Sequence, residues 1–566
     1  MENRTIIIND KQFSYVDGQT ILQVCKENNI YIPTLCYLKD ICQTSNCRMC
    51  VVEGENGKLL TACSTKCVPG MNVKTDSEKV VASRKNTLEM LLSNHHFDCI
   101  NCQKVDNCEL QKHATYYGLV PFESQFKQTH QHKIDNTSPC IVRNNNKCIL
   151  CGRCVSVCSN TQAVHALTKI NRGFETKIGC AFDQNLAQST CVGCGQCTLV
   201  CPTGALVERE EIDDVENLLA NKDYFVVAQV APSVRVALAE AFGADVGTFD
   251  EGKMVACIKA LGFQNVFDIN FGADLTTYAE ATELLHRIEN NKSLPQFSSC
   301  CPAWFKYVLN FYPEYEDNLS ECKSPTEMLG AVLKHYYSKK LGIDKDKIKV
   351  VGIMPCTAKK GEKERAKDVD AVLCTRELSR MIYKNHINFS TISPCKFDLP
   401  NGDHVGGGIL YGASGGVTES VLRYASRKLG GKNEDVEFEK LRECDGVGEY
   451  QIKCGTKTLS LCVVSGLANA KRVMDEIKRG EKSYHFMEVM ACPGGCLNGG
   501  GQTWVDYNKI DVQDVKNLRS KSLYNRDHEI TECGEILDRK VDQMYHDLLI
   551  ETEDEKQDLF FYKKQN

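Results

Sequence analysis

The sequence predicts a chain of several domains, of mixed α+β and α/β class. The chain has 566 residues, and at roughly 150 residues per domain this length suggests about four domains. Of the 33 cysteines, 20 lie in the first 201 residues. The rest alternates apolar runs with amphipathic stretches, a pattern typical of parallel α/β structure. We therefore expect three small domains and one large α/β domain, spanning residues 1–80, 81–127, 128–210 and 211–566.

Composition excludes several classes of protein. Hydrophobic residues make up 42% of the chain and charged residues 25%, which is ordinary for a folded globular protein rather than a disordered or collagen-like one. The net charge of −6 does not indicate the basic surface that binding to nucleic acid or an anionic membrane requires. The start, MENRTIIIND, lacks the apolar region and cleavage site of a signal peptide, and no apolar stretch is long enough to span a bilayer. We expect a cytoplasmic protein without nucleic-acid or membrane partners, whose thiols stay reduced and available to metal.

Local patterns place the first elements. In residues 1–80, Thr5–Ile8 and Gln12–Val16 are predicted strands around an Asn9-Asp10 turn. Thr20 is the predicted cap of a helix whose apolar face carries Ile21, Val24 and Cys25. Residues 81–127 are predicted to be helical, with an apolar stripe of Leu88, Leu91 and Leu92. In residues 211–566 the clearest predicted strands are Tyr224–Val230, Lys349–Met354 and Leu459–Ser465.

Two near-identical cysteine runs form the strongest local motif. They are Cys148-x2-Cys151-x2-Cys154-x3-Cys158 and Cys191-x2-Cys194-x2-Cys197-x3-Cys201-Pro202. This doubled spacing is that of ferredoxins with two [4Fe–4S] clusters, in which the fourth cysteine of each run binds the other cluster. One cluster is predicted to take Cys148, Cys151, Cys154 and Cys201, and the other Cys191, Cys194, Cys197 and Cys158. Paired zinc sites are the alternative, but zinc does not call for this doubled spacing.

A smaller motif, His95-x3-Cys99-x2-Cys102-x5-Cys108, lies upstream. Taken alone, three cysteines and one histidine suit a structural zinc ion as well as a [4Fe–4S] cluster. The position of the motif between iron–sulfur domains favours the [4Fe–4S] cluster. His96 is the neighbouring imidazole, and spacing by itself does not choose between the two histidines.

The N-terminal cysteines predict a [2Fe–2S] cluster in a β-rich, β-grasp-like domain. The preferred ligands are Cys36, Cys47, Cys50 and Cys63. Two rivals remain, because Cys42-x4-Cys47-x2-Cys50 fits the plant-type ferredoxin spacing, and Cys67 competes with Cys63. The preference for Cys36 depends on the Pro-Thr-Leu-Cys run that it ends.

Three segments of the large domain carry the remaining signal: Ser298–Trp304 (SSCCPAW), Met354–Glu362 (MPCTAKKGE) and Glu488–Gln502 (EVMACPGGCLNGGGQ). Together they resemble the three signatures of the iron-only, or [FeFe], hydrogenases, of the long clostridial type with accessory clusters. The resemblance covers essentially the whole chain, since the upstream cysteine groups match in order and spacing. Four positions depart from the usual pattern, namely Ser298, Ala303, Pro493 and Thr503, and none of them is a ligand or a relay group.

This resemblance implies an H-cluster, in which a [4Fe–4S] cube is joined through one cysteine to a di-iron unit with CO, cyanide and azadithiolate ligands. The implied cube ligands are Cys301, Cys356, Cys492 and the bridging Cys496. Lys359 would donate a hydrogen bond to one cyanide. The positions that surround the di-iron unit are Pro232, Ser233, Met354 and Met490. The family's catalytic domain has two parallel sheets, and the last fifty residues are expected to wrap it as a helical tail.

The resemblance also implies a proton path through Cys300, Glu280, Ser320, Glu283 and Arg287. The two glutamates and the arginine share one helical face, because they lie at i, i+3 and i+7. From spacing alone, an ordinary surface Glu–Arg pair is the simpler interpretation. The family resemblance, and not the spacing, favours the path.

The resulting hypothesis is a hydrogenase that interconverts protons, electrons and H₂, with ferredoxin or flavodoxin as the electron carrier. Dedicated maturation proteins would supply the H-cluster. One alternative is the hydrogenase subunit of an NAD(P)H-linked or electron-bifurcating complex with a flavin-bearing partner, since this chain has no G-x-G-x-x-G fingerprint of its own. Another alternative is a non-catalytic relative, either an iron–sulfur assembly factor or a hydrogen sensor, against which the presence of Cys300, Lys359 and Glu280 argues.

Overall fold

A computed structural model describes residues 4–119, 131–398, 407–429, 441, 446–454, 457–507, 509–531 and 560–562. Most of the predicted helical tail lies outside these residues. Within the described part of the chain, no helix combines the length and apolarity needed to cross a bilayer.

The N-terminal region folds as a three-stranded mixed sheet, a two-stranded antiparallel sheet and one helix. Its elements are β1 (Thr5–Ile8), β2 (Lys11–Ser14), α1 (Ile21–Glu27), β3 (Val51–Glu53), β4 (Leu59–Thr61) and β5 (Asn72–Val73). β1 pairs antiparallel with β2 and parallel with β5, and β3 pairs antiparallel with β4. The predicted turn is confirmed: Asn9 and Asp10 have φ of 48° and 63°, the left-handed conformation that tight hairpins require. The predicted cap is also confirmed, because Thr20 forms a capping box with Gln23.

The cysteine-rich middle of the chain has short elements. They are α2 (Glu78–Ser93), α3 (Glu109–Tyr116), β6 (Ile141–Arg143), α4 (Arg153–Ser156), β7 (Thr168–Ile170), β8 (Lys177–Gly179), α5 (Gln196–Val200) and β9 (Leu206–Glu208). Leu88 and Leu92, from the predicted apolar stripe of α2, are buried. They pack in a core with Leu35 and Met49 of the N-terminal region. β6 pairs with β9, which brings the two ends of the repeated cysteine segment together.

The large region contains two four-stranded sheets. Its strands are β10 (Phe225–Val230), β11 (Asn265–Asp268), β12 (Gln296–Phe297), β13 (Ile348–Met354), β14 (Ala371–Cys374), β15 (Val447–Cys454), β16 (Lys457–Ser465) and β17 (Phe486–Met490). The helices are α6 (Ile212–Ala220), α7 (Glu251–Ala260), α8 (Asn270–Asn290), α9 (Pro302–Phe311), α10 (Pro325–Val332), α11 (Ser338–Leu341), α12 (Lys359–Ala366), α13 (Thr375–Lys384), α14 (Gly407–Leu410), α15 (Gly416–Lys428), α16 (Leu467–Lys478) and α17 (Val512–Thr531).

The expectation of two parallel sheets is correct for one sheet and wrong for one strand of the other. The order β11-β10-β13-β14 is parallel throughout. In β12-β17-β16-β15 the first three strands are parallel, but β15 pairs antiparallel with β16. Because two residues separate β15 from β16, the pair is too close in sequence for the long crossover that a parallel connection needs.

The candidate site lies at the carboxyl ends of the parallel strands. Met354 ends β13 in the first sheet, and Met490 ends β17 in the second. The chain leaves both strands into segments that carry cysteines, as it does after β12. In open α/β sheets, ligands bind outside this edge. The two sheets therefore present their cysteine-bearing segments toward one another.

Candidate active site

A buried cavity lies where the three cysteine segments meet. Its volume is about 70 Å³, larger than the three cavities described below, and most of its lining is apolar. Cysteines from all three segments line it: Cys300, Cys301, Cys356, Cys492 and Cys496. The other predicted residues on its wall are Pro232, Ser233, Met354, Lys359 and Met490. Residues far apart in sequence thus converge on one cavity.

Local structure places each thiol. Cys301 caps the N-terminus of α9, with Pro302 at its first turn. Cys356 follows β13 directly before α12, and Cys496 opens a short 3₁₀ turn. Gly495, just before it, has a φ of 95°, and a Cβ there would lie 2.6 Å from the backbone nitrogen of Ser414. Only glycine accepts both the conformation and the close approach.

Lys359 is held against the cavity by three hydrogen bonds. Its Nζ donates to Glu362 Oε2 at 2.6 Å, to Ser324 Oγ at 2.8 Å and to the carbonyl of Cys300 at 3.2 Å. Burial alone would lower the pKa of Lys359, but the ion pair with Glu362 outweighs it and raises that pKa. The ammonium is therefore charged, and the long bond to Cys300 is the one most easily exchanged for a ligand in the cavity.

The helical face of α8 bears the predicted acidic residues. Arg287 binds Glu283 Oε1 at 2.6 Å, and Ser320 Oγ donates to Glu283 Oε2 at 2.7 Å. The Arg287 and Glu283 side chains are 9% and 14% exposed, so the structure excludes an ordinary surface pair. Arg287 also donates to the carbonyl of Leu319 at 3.0 Å, next to Ser320.

Glu280 stands between this network and the cavity. It is 1% exposed, and its Oε2 has no hydrogen-bond partner among the described residues. Burial, with the nearby carboxylates of Glu283 and Glu488, raises the pKa of Glu280 well above its usual value, which favours the neutral form of this carboxyl. The electrostatic neighbours of Cys300 include Glu280. No direct hydrogen bond joins Glu280 to Cys300 or Ser320 within the described ranges.

Two residues of this site were not predicted from the sequence. Tyr411 lines the cavity, and its hydroxyl lies 2.9 Å from Thr277 Oγ1 on α8. Cys322 is buried, and its Sγ lies 3.5 Å from Glu283 Oε2. Neither stands in a motif, since Cys322 is an isolated cysteine and Tyr411 follows a glycine-rich stretch whose spacing carries no specific signal.

The repeated cysteine runs surround two further cavities. One is lined by Cys148, Cys151, Cys154 and Cys201, and the other by Cys158, Cys191, Cys194 and Cys197. The fourth cysteine of each run thus lies with the first three of the other, as the spacing predicts. Gly195 has a φ of 70°, and a Cβ there would lie 2.3 Å from Thr357 Oγ1, which shows how tightly this loop packs on the active-site segment.

The histidine motif surrounds a fourth cavity, lined by His95, His96, Cys99, Cys102 and Cys108 among others. His95 is 8% exposed and its Nδ1 has no hydrogen-bond partner in the described chain, whereas His96 is exposed. Burial lowers the pKa of His95 to about 4, which keeps its imidazole in the neutral form that binds metal. The structure therefore favours His95 over His96 as the candidate ligand.

Four N-terminal thiols lie together. Cys36 contacts Cys47, and Cys50 contacts Cys63, through their side chains. Of the two rivals, Cys42 contacts Thr44 at 3.8 Å, and Cys67 packs in the same small core as Cys50 and Cys63. This arrangement supports the set with Cys36 and Cys63.

Hydrogen bonds connect the inner ferredoxin-like loop to the active-site segments. Thr357 Oγ1 donates to the carbonyl of Gly193 at 2.7 Å. Gln196 Nε2 donates to the carbonyl of Asn498 at 2.9 Å, and Thr198 Oγ1 donates to that of Gly500 at 2.9 Å. The loop that carries Cys194 and Cys197 is thus bonded to both sides of the active-site cavity.

Family profiles match four parts of the chain. Residues 224–500 match the C-terminal domain of the iron-only hydrogenase large subunit, and residues 2–78 match a 2Fe-2S iron-sulfur cluster binding domain. Residues 84–120 match the NADH-ubiquinone oxidoreductase-G iron-sulfur binding region, and residues 147–205 match a 4Fe-4S dicluster domain.

Relatives extend the match over nearly the whole chain. NADP-reducing hydrogenase subunit HndD of Solidesulfovibrio fructosivorans is 41% identical over 549 residues, covering 93% of this chain and 92% of its own length. Iron hydrogenase 1 of Clostridium pasteurianum is 37% identical over 537 residues, covering 93% and 94%. A solved structure of [FeFe]-hydrogenase HydA(deltaEFG) aligns with a TM-score of 0.52 and 30% identity, covering 62% of this chain and 98% of that one. These matches cover nearly the whole chain, including the segments that line the cavity. They show that the chain belongs to the iron-only, or [FeFe], hydrogenase family.

Proposed function

We propose that this chain interconverts protons and H₂ (2H⁺ + 2e⁻ ⇌ H₂) at the cavity between its two sheets. The observation that carries the proposal is the convergence of Cys301, Cys356, Cys492 and Cys496 on one buried cavity. These residues fit an H-cluster: four thiols suit a cube, the lining has room beside them, and the charged Lys359 offers the cavity an anion-binding group. The bound H-cluster would supply the iron chemistry that joins protons and electrons.

The chain's own residues would hold and shape that group. Lys359, charged through its ion pair with Glu362, would donate a charge-assisted hydrogen bond to a buried anionic ligand. Met354 and Met490 present soft, polarisable side chains on the cavity wall. Pro232 and Ser233 also line the cavity and would hold the other cyanide, with Ser233 Oγ donating to the carbonyl of Gly412 at 3.3 Å.

Protons would reach the cavity through Arg287, Glu283, Ser320, Glu280 and Cys300. The outer half of this path is a continuous hydrogen-bonded chain. Glu280, whose buried carboxyl has a raised pKa, would carry a proton inward, and Cys300 would pass it to the site. The steps on either side of Glu280 call for water or side-chain motion, because no direct bond joins these groups.

Electrons would pass through the accessory clusters. We assign the [2Fe–2S] domain to residues 1–80, the His95 cluster to 81–127, the two-cluster domain to 128–210 and the catalytic domain to 211–566. The two clusters of the 148–201 segment would precede the active site. The bonds from Thr357 and Gln196 to the neighbouring segments support the Cys191–Cys197 cluster as the last one before the cavity.

Ferredoxin, or flavodoxin, is our proposed electron carrier. A second candidate is membership of an NADP-reducing complex, which the 41% identity to HndD favours. Hydrogen evolution by the isolated chain, driven either by reduced ferredoxin or by NADPH, separates the two. Turnover with ferredoxin alone supports the first, while activity that appears with NADPH upon addition of a flavoprotein partner supports the second.

Expression without maturation proteins tests the assembly of the site. The proposed di-iron unit has one bond to the protein, through Cys496, so the chain offers too few ligands to build it from iron and sulfide. We expect protein made without the maturation proteins to contain all of its iron–sulfur clusters and to evolve no H₂. Iron analysis and a hydrogen assay check this, and full activity after treatment with iron and sulfide alone would refute it.

His95→Cys tests the ligands of the small cluster. If this site holds a [4Fe–4S] cluster, the variant keeps the cube and changes its reduction potential, because ligand type and net charge set that potential. Metal analysis measures the iron and zinc content, and electron paramagnetic resonance (EPR) spectroscopy detects the cube and its change in potential. Stoichiometric zinc in the wild-type protein, with one cube fewer than proposed, would contradict the assignment.

A further inference from the structure

Lys104 is a buried cation without a conventional partner. Its side chain belongs to a residue that is only 3% exposed. Across the residues that the structure describes, its ammonium donates no hydrogen bond and forms no ion pair, and it lies over the ring of Trp504, 3.9 Å from the centroid. Burying an unpaired ammonium is costly, so this position calls for an explanation.

The surrounding protein does not supply the missing charge. The indole of Trp504 is shared, since the guanidinium of Arg376 lies 4.5 Å from the same ring. Glu109 is a carboxylate in the electrostatic surroundings of Lys104. Both oxygens of Glu109 are taken by Arg153, at 2.7 and 3.0 Å. The aromatic contact positions the ammonium without neutralising it.

Lys104 lies close to two of the cluster cavities. In sequence it stands between Cys102 and Cys108, and its electrostatic neighbours include Cys108 and also Cys201, from the next cavity. A Cβ placed on Gly204, which lines the His95 cavity, would lie 2.6 Å from Cys102 Sγ and 3.6 Å from Lys104 Cβ. The backbone N–H of Glu109 also donates to the carbonyl of Pro202 at 2.9 Å. The segment that carries Lys104 therefore packs against residues next to both cavities.

We propose that Lys104 is the shared counter-charge of the two clusters that flank it, the His95 cluster and the Cys148–Cys201 cluster, and that it raises the reduction potential of both. This inference rests on the ligand sets proposed above. A cube held by thiolates is anionic, and each electron that it accepts makes it more negative. A cationic side chain close to both clusters would stabilise the reduced state of either one.

Lys104→Met in the full-length, cluster-loaded protein tests the proposal. EPR-monitored redox titration measures the potential of each cube, and the shift caused by His95→Cys identifies the signal of the His95 cluster. In Lys104→Met we expect the ratio of reduced to oxidised cluster, measured at a fixed potential, to fall at least tenfold for both flanking cubes. This corresponds to a reduction potential lowered by about 59 mV for a one-electron couple. Lys104→Arg, which keeps the charge, is expected to stay near the wild-type potentials.

Lys112→Met is the matched control, because Lys112 is an exposed lysine on the neighbouring helix α3, and it is expected to change neither potential. Lys104→Gln serves as a second neutral variant if the methionine variant loses a cluster. Potentials that stay within twofold of wild type in the neutral variants, or that fall equally in Lys104→Arg, would overturn the role of Lys104. Absence of the two cube signals from the wild-type protein would instead refute the ligand sets themselves.

Discussion

Cys300→Ser is expected to lower H₂ turnover by about 10²–10⁴-fold in both directions, the range of a lost general acid or base. Cys300 lines the cavity beside the proposed ligand Cys301, and its electrostatic neighbours include Glu280. A serine hydroxyl has nearly the same shape but is far less acidic than a thiol, so it passes protons poorly. Hydrogen production with a strong artificial reductant, measured alongside the infrared spectrum, checks the result.

The infrared spectrum of Cys300→Ser should keep the CO and cyanide bands, because the residue relays protons and does not hold the cluster. Cys300→Asp should retain more activity, since a carboxyl group also carries a proton. Cys257→Ser is a matched control, in which a fully buried thiol in the core beneath the first sheet is replaced. Wild-type turnover in Cys300→Ser would show that Cys300 is a packed neighbour of Cys301 and no relay.

Glu280→Gln is expected to lower turnover by a similar factor, about 10²–10⁴-fold. The amide keeps the shape of the carboxyl but cannot accept and release a proton. The side chain is buried and its Oε2 is unpartnered in the described chain, so the substitution breaks no hydrogen bond at that atom. Activity with an artificial reductant and the thermal midpoint of unfolding are the two measurements.

Glu289→Gln is the control for Glu280→Gln, because Glu289 is exposed on the same helix, α8. It should leave turnover unchanged. The assignment of Glu280 fails if Glu280→Gln turns over at the wild-type rate, or if its loss of activity matches a loss of folded protein.

The cysteine-rich sites could be predicted from the sequence because their ligands lie close together in it. The runs Cys148–Cys158 and Cys191–Cys201 constrain the cluster type through spacing alone, and the structure brings the expected sets around two cavities. Spacing left Cys36 and Cys42 as rivals. The choice needed three-dimensional information, namely that the Cys36 side chain contacts that of Cys47 while Cys42 faces Thr44.

The prediction of the active site depended on resemblance, because its ligands come from segments that are separated by more than half of the large domain, from Cys301 to Cys496. Helical periodicity put Glu283 and Arg287 on one face but could not tell a buried pair from a solvated one, since burial is a tertiary property. Tyr411 and Cys322 were missed for the same reason: only the packing of α8 against other segments brings them to the site. The antiparallel strand β15 was missed because periodicity does not report strand direction.

An infrared spectrum of the matured wild-type protein, recorded together with its H₂ turnover, is the most direct test of the proposed function. The account predicts bands of CO and cyanide bound to iron, together with hydrogen production from a strong reductant, both lost when the proposed bridging ligand is removed in Cys496→Ala. Protein that carries its full complement of iron–sulfur clusters after maturation, yet shows neither the bands nor hydrogen turnover, would contradict the claim that the cavity of Cys301, Cys356, Cys492 and Cys496 is a hydrogen-producing site.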